Sequence, residues 1–144
     1  MKVQIHRIDS ALPLPKYETS GSLGFDFLAR ETTSIEPGKT GLIPGNVVVK
    51  CPEGFALLIL PRSSMYRKTG LMFPHSIGLI DQDYCGPDDE IMIQVYNSGS
   101  TEITVQRGDR MAQGLFVQTP KVEFVEVEKN FLGQDSRGGF GSTG

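Results

Sequence analysis

Glycine and proline interrupt this chain so often that few uninterrupted windows reach the roughly 10 to 12 residues of an average helix. Seventeen glycines and nine prolines are spread over 144 residues. Both residue types oppose continuous helical hydrogen bonding, so the chain is predicted to be mostly β. Strand-like segments are Val3 to Ile8, Leu42 to Lys50, Gly54 to Leu60, Glu90 to Asn97, Thr101 to Gln106, Leu115 to Gln118 and Val122 to Glu128. In Glu90 to Asn97, Ile91, Ile93 and Val95 alternate with Met92, Gln94 and Tyr96, the pattern of a strand with two different faces. Turns are signalled at Glu36-Pro37-Gly38, Pro44-Gly45-Asn46, Cys51-Pro52-Glu53-Gly54, Asn97-Ser98-Gly99 and Arg107-Gly108-Asp109. Short strands with regular turns suggest an all-β barrel or sandwich. One short helix is expected over Ser63 to Thr69, opened by a serine able to cap its first turn.

The length suits one domain. The longest purely apolar run, Phe55 to Leu60, is far short of the ~18 residues of a membrane span. The opening MKVQIHRIDS has no apolar block after its charges, so a cytoplasmic, non-membrane protein is expected. Cys51 and Cys85 lie far apart without a zinc-ligand pattern and read as ordinary thiols. A net charge of -3 argues against non-specific nucleic-acid binding, so an anionic ligand must meet a local cationic patch.

Several chemistries are excluded. PGKT at Pro37 to Thr40 imitates the end of a P-loop, but Thr33 stands where its first glycine is required. There is no G-x-S-x-G elbow, and His6 and His75 have no spacing that suggests a metal pair. What remains is a set of short polar segments: GSLGFDFLAR (21–30), PRSSM (61–65), GLIDQDY (78–84), GDRMAQ (108–113) and the closing RGGFGSTG. Asp26 and Asp81 emerge from apolar stretches. Arg62, Arg110 and Arg137 supply fixed positive charge, and Ser63, Ser64, Ser142 and Thr143 supply hydroxyls. The glycines of the closing segment, Gly141 among them, have unhindered backbone N–H groups. Guanidinium forks and backbone nests hold phosphate oxygens, so the set suggests a polyphosphate ligand with a divalent cation.

In order, and across nearly the whole chain, these segments resemble the five motifs of the trimeric deoxyuridine triphosphatase (dUTPase) family. The resemblance implies a jelly-roll-like domain over residues 1–133, a flexible arm over 134–144, and a homotrimer whose active sites are shared between subunits. It implies hydrolysis of dUTP to dUMP and pyrophosphate, which limits uracil in DNA and supplies dUMP for thymidylate. Asp81 is then the base that deprotonates water for attack on the α-phosphorus, and Gln113 helps hold that water. Arg62, Ser63, Ser64 and Arg110 would hold the phosphate chain. Mg²⁺ would ride on the phosphates through water, with no direct protein ligand and with Asp26 in its outer shell or paired to an arginine. Uracil is expected on backbone groups of a β-hairpin from Ile77 to Tyr96, at Ile77, Gly78, Ile80 and Met92, and Tyr84 is expected to pack under the deoxyribose. Phe140 would stack on uracil while Arg137, Gly141, Ser142 and Thr143 close on the phosphates.

Two departures from the family pattern stand out. Pro87-Asp88-Asp89 precedes Glu90 where a direct turn into the next strand is expected, and Arg137 lies three residues before Phe140 rather than the commoner five. The closest rival, dCTP deaminase, resembles the family in fold but needs a glutamate on the strand after the hairpin. Gln94 occupies that position here and cannot shuttle a proton. A second rival is a non-catalytic nucleotide sensor; it is opposed by the presence of Asp81, Gln113 and the closing segment.

Overall fold

The computed structural model of the protein describes residues 1–129. The predicted arm, with Arg137, Phe140, Gly141, Ser142 and Thr143, lies outside the described residues. Among the described residues the order is β1 (Gln4–Arg7), β2 (Phe25–Leu28), β3 (Thr33–Ile35), β4 (Thr40–Pro44), β5 (Val47–Lys50), β6 (Phe55–Pro61), α1 (Met65–Thr69), β7 (Leu71–Met72), β8 (Gly78–Ile80), β9 (Met92–Asn97), β10 (Ile103–Val105) and β11 (Arg110–Gln118). Every pairing is antiparallel. A four-stranded sheet runs β2-β11-β6-β8 and a three-stranded sheet β4-β9-β7, with the pairs β1-β5 and β10-β3 completing a jelly-roll-like, all-β fold. No helix among the described residues is long and apolar enough to cross a membrane.

Alternation builds the core. On β9, Ile91 just before the strand and then Ile93 and Val95 are buried, while Met92, Gln94 and Tyr96 face outward. Phe27, Ile43, Val49, Leu57, Leu71 and Val105 join them in one contiguous cluster. Each such side chain contributes about 1.5–3 kcal/mol by leaving water. At its polar edge, fully buried Asn97 donates to the carbonyls of Ile35 (2.9 Å) and Thr101 (2.8 Å) and accepts from the Gly99 N–H (2.9 Å). The Arg107-Gly108-Asp109 turn forms as expected, with Gly108 at φ 90°, where a side chain would be strained.

Five sequence expectations need correction. Leu42 to Lys50 is two strands, because the chain turns at Gly45-Asn46, where Asn46 takes φ 69°. The last strand begins at Arg110 rather than Leu115, since β2 and β6 pair along its two edges. Helix α1 begins at Met65, and Ser64 at its N-cap makes no side-chain capping bond. Val122 to Glu128 is not a strand, and residues 121–129 are all exposed: its alternating apolar positions meet no partner strand and no core face among the described residues. Finally, the expected hairpin between 77 and 96 is not a paired ladder. β8 pairs with β6 and β9 pairs with β4 and β7, so residues 81–91 cross from one sheet to the other.

Candidate active site

Asp26 lies on β2 between Phe25 and Phe27. Those two rings face the core and meet edge to face, with centroids 5.3 Å apart, so alternation turns Asp26 to the opposite face. There its carboxylate accepts from Arg62 Nε at Oδ1 (2.9 Å) and from Arg110 Nη1 at Oδ2 (3.3 Å). Asp26 is thus in contact with two arginines, one of the two arrangements expected for it. Arg62, just after β6, also donates from Nη1 to the Arg110 carbonyl (3.4 Å), and Glu18 approaches Arg110 at 3.6 Å. Each guanidinium carries five N–H donors, so several remain for an anion.

A β-bulge assembles this cluster. Arg110 and Gln113 are three residues apart, which in a regular strand puts them on opposite faces. Between Arg110 and Ala112 the register of β11 against β2 shifts: Arg110 opposes Leu28, Ala112 opposes Phe27 and Gln113 opposes Asp26. Leu28 and Asp26 share a face, so the extra residue, Met111, brings Arg110 and Gln113 to the same side. The Gln113 amide donates to the Pro61 carbonyl at the end of β6 (3.3 Å). Ser63 is exposed and Ser64 half-buried, both directly after Arg62. The Ser64 hydroxyl, having no capping bond, is free to meet a ligand.

Gly24 completes the surroundings of Gln113. A Cβ at residue 24 would lie 2.9 Å from Gln113 Oε1, the movable end of a side chain, so alanine there displaces the amide rather than the backbone. We expect Gly24→Ala to lower kcat roughly tenfold to a hundredfold, with the denaturation midpoint little changed, as steady-state kinetics and urea unfolding will show.

Asp81 is not in this cluster. It is exposed at the end of β8, in a recess lined by Phe55, Ala56, Ile80 and Lys121. β8 pairs with the start of β6 (Leu57 with Ile80), whereas Gln113 pairs with its end (Leu60). At ~3.4 Å per residue the backbone positions of Asp81 and Gln113 are about 14 Å apart along the strands, and they lie two strands apart across the sheet. Ile77 and Gly78 accompany Asp81 on the same segment. The outer edge of β8, at the rim of its sheet, pairs with no other strand among the described residues. Met92 belongs to the other sheet, opposite Pro44. Tyr84 is partly exposed and donates its hydroxyl to the Glu90 carbonyl (3.0 Å). The inserted acids do not both face solvent freely: Asp89 accepts from the Gly86 N–H (2.7 Å) and closes a tight turn.

The structure adds Glu18, Gly24 and the Pro61 carbonyl to the residues singled out from sequence. Only the glycine before FDF carried a local signal.

A family model described as dUTPase matches residues 10–144. The deoxyuridine 5'-triphosphate nucleotidohydrolase of Acinetobacter baylyi is 42% identical over 151 aligned residues, covering 100% of this chain and 99% of that protein. The Shewanella amazonensis protein of the same name is 41% identical, covering 100% of this chain and 95% of its own. Among solved structures, a dUTPase from Streptococcus mutans superposes with a TM-score of 0.77 at 31% identity, over 83% of this chain and 98% of that one.

Proposed function

The chain belongs to the dUTPase family, and from that membership we infer a hydrolase that converts dUTP and water to dUMP and pyrophosphate. The observation that carries this reading is the convergence of Asp26, Arg62, Arg110 and Gln113, from three distant segments, on one end of a sheet. Such a paired-arginine surface suits a triphosphate.

The reaction proceeds by attack of a water oxygen on the α-phosphorus. Asp81 takes the water proton, Gln113 orients the water, and the bond from the α-phosphorus to the bridging oxygen breaks as pyrophosphate leaves. Arg62, Arg110, Ser63 and Ser64 bind phosphate oxygens, and Ser64 meets the charge that grows on the leaving group. No group of three or more candidate metal ligands occurs among the described residues, and both Asp26 oxygens are engaged by arginines. When bound, Mg²⁺ would be held by the phosphates through water, beside the Asp26–arginine cluster, and would supply neutralising charge that makes pyrophosphate a competent leaving group without a general acid.

Asp81 and Gln113 of one chain, about 14 Å apart along the strands and two strands apart across the sheet, cannot touch the same water. The reading therefore requires an assembly, a homotrimer in our proposal, in which Asp81 of one copy faces Arg62 and Gln113 of another. The exposed apolar stretch beyond β11, with Phe124 93% and Val125 77% accessible, supports such an assembly, because a surface of this kind calls for a partner. Uracil is read by the free backbone edge of β8, and Tyr84 packs under the deoxyribose. Residues Arg137 to Thr143 close over the ligand. Free thiols at Cys51 and Cys85 suit the reducing cytoplasm.

Product analysis tests the reading. Pyrophosphate from dUTP with Mg²⁺, and no ammonia from dCTP, is the expected result. Ammonia from dCTP would establish the deaminase despite Gln94, and tight dUTP binding without either product would establish a sensor.

A further inference from the structure

Among the described residues, Glu90 is the one charged side chain in the buried set. It stands where the inserted Pro87-Asp88-Asp89 meets β9. Its carboxylate is fully engaged: Arg30 donates through Nε to Oε1 and through Nη2 to Oε2, both at 2.9 Å, and the Asn46 backbone N–H donates to Oε1 at 2.8 Å. Next to it, the Ile91 N–H donates to the Val47 carbonyl (2.9 Å), and the Arg30 N–H to the Pro44 carbonyl (2.8 Å). The peptide following Glu90 is thereby fixed against the β4–β5 turn.

The carbonyl of that fixed peptide accepts the Tyr84 hydroxyl. Tyr84 is 38% accessible and lies outside the buried core, and its hydroxyl is the side-chain atom that the structure ties down. The loop between Tyr84 and Glu90 is also closed on itself by the Gly86–Asp89 turn. Tyrosine, carbonyl, carboxylate and guanidinium thus form one chain of contacts from the segment just after β2 to the tyrosine ring.

We propose that Arg30, acting through Glu90, is a positioning residue that holds Tyr84 in place and so sets discrimination against a ribose 2′-hydroxyl. The inference rests on the reading above that Tyr84 packs under the sugar. Stability alone is a poor account of the pair, because a buried ion pair replaced by well-packed apolar side chains is often no less stable. A planar fork that fixes one carboxylate, and through it one carbonyl, gives orientation that apolar packing does not. The Glu90 carboxylate also holds Arg30 more firmly in its charged form, raising the guanidinium above its ordinary value chiefly through their hydrogen bonds. Glu31 is a further, exposed partner on Arg30 Nη1.

The test is the ratio of kcat/KM for dUTP to kcat/KM for UTP, measured on the full chain with Mg²⁺. Tyr84→Ala is expected to collapse the ratio. Tyr84→Phe keeps the ring but removes its tether, and Arg30→Met removes the fork; each is expected to lower the ratio about threefold to tenfold. Because both act on one contact chain, the double variant should lose no more than the larger single loss. Arg30→Lys should lie between the unaltered protein and Arg30→Met, since an ammonium cannot span both oxygens. An unchanged ratio in Arg30→Met, alongside a collapsed one in Tyr84→Ala, overturns the inference and leaves the sugar reading intact. An unchanged ratio in Tyr84→Ala overturns the sugar reading itself. Should Arg30→Met fail to fold, Arg30→Lys and Tyr84→Phe decide: unchanged ratios in both overturn the proposal.

Discussion

Asp81→Asn is expected to reduce turnover of dUTP by a thousandfold or more while dUTP affinity stays within about tenfold. Asparagine keeps the shape and the hydrogen-bonding reach of the side chain but cannot accept the proton of the attacking water. Asp81 is exposed at the end of β8 and makes no ion pair among the described residues, so the change should leave the fold intact. Binding of a non-hydrolysable dUTP analogue separates the two effects. Normal affinity with lost pyrophosphate release assigns the base to Asp81. Near-normal turnover removes that assignment and with it the mechanism above.

Two inactive variants should restore each other when mixed. Arg62→Gln removes the guanidinium while keeping a donor toward Asp26, and it is expected to be as inactive as Asp81→Asn because phosphate binding and leaving-group stabilisation are lost. If each site draws Asp81 from one copy and Arg62 from another, unfolding and refolding an equal mixture creates sites in which both native residues meet. With copies drawn at random that is half of half, about a quarter of all sites, so activity should return from the background to roughly a quarter of the unaltered level. The separately refolded variants, combined afterwards without exchange, should remain inactive. A mixture that stays at background after verified exchange shows that both residues serve the same chain, and the shared-site proposal then falls. The geometry makes the prediction sharp, because Gln113 and Arg62 sit at one end of β6 and Asp81 at the other.

Much of this was legible in the residues. The class of fold followed from punctuation by glycine and proline and from two-residue alternation, both short-range properties. The strand around Ile93, the turn at Gly108 and the short helix after Ser64 all lie close to where local pattern puts them. The chemistry-bearing side chains were legible for a related reason. An aspartate between two phenylalanines, or an arginine before two serines, keeps its identity wherever the chain carries it.

Local pattern failed wherever a partner distant in sequence decided the outcome. Val122 to Glu128 alternates like a strand, yet it meets no partner strand among the described residues. GLIDQDY and the strand after it read as a hairpin, yet they join different sheets.

The sequence by itself determined a β protein and the donors and acceptors available to a triphosphate, because alternation and residue type are written one position at a time. Only the tertiary structure decided that a bulge at Met111 turns Arg110 and Gln113 to one face, that Arg30 reaches across the fold to Glu90, and that Asp81 stands away from both arginines. Those arrangements depend on register between distant segments. A shift of one residue in register reverses a side chain's face without altering any local pattern.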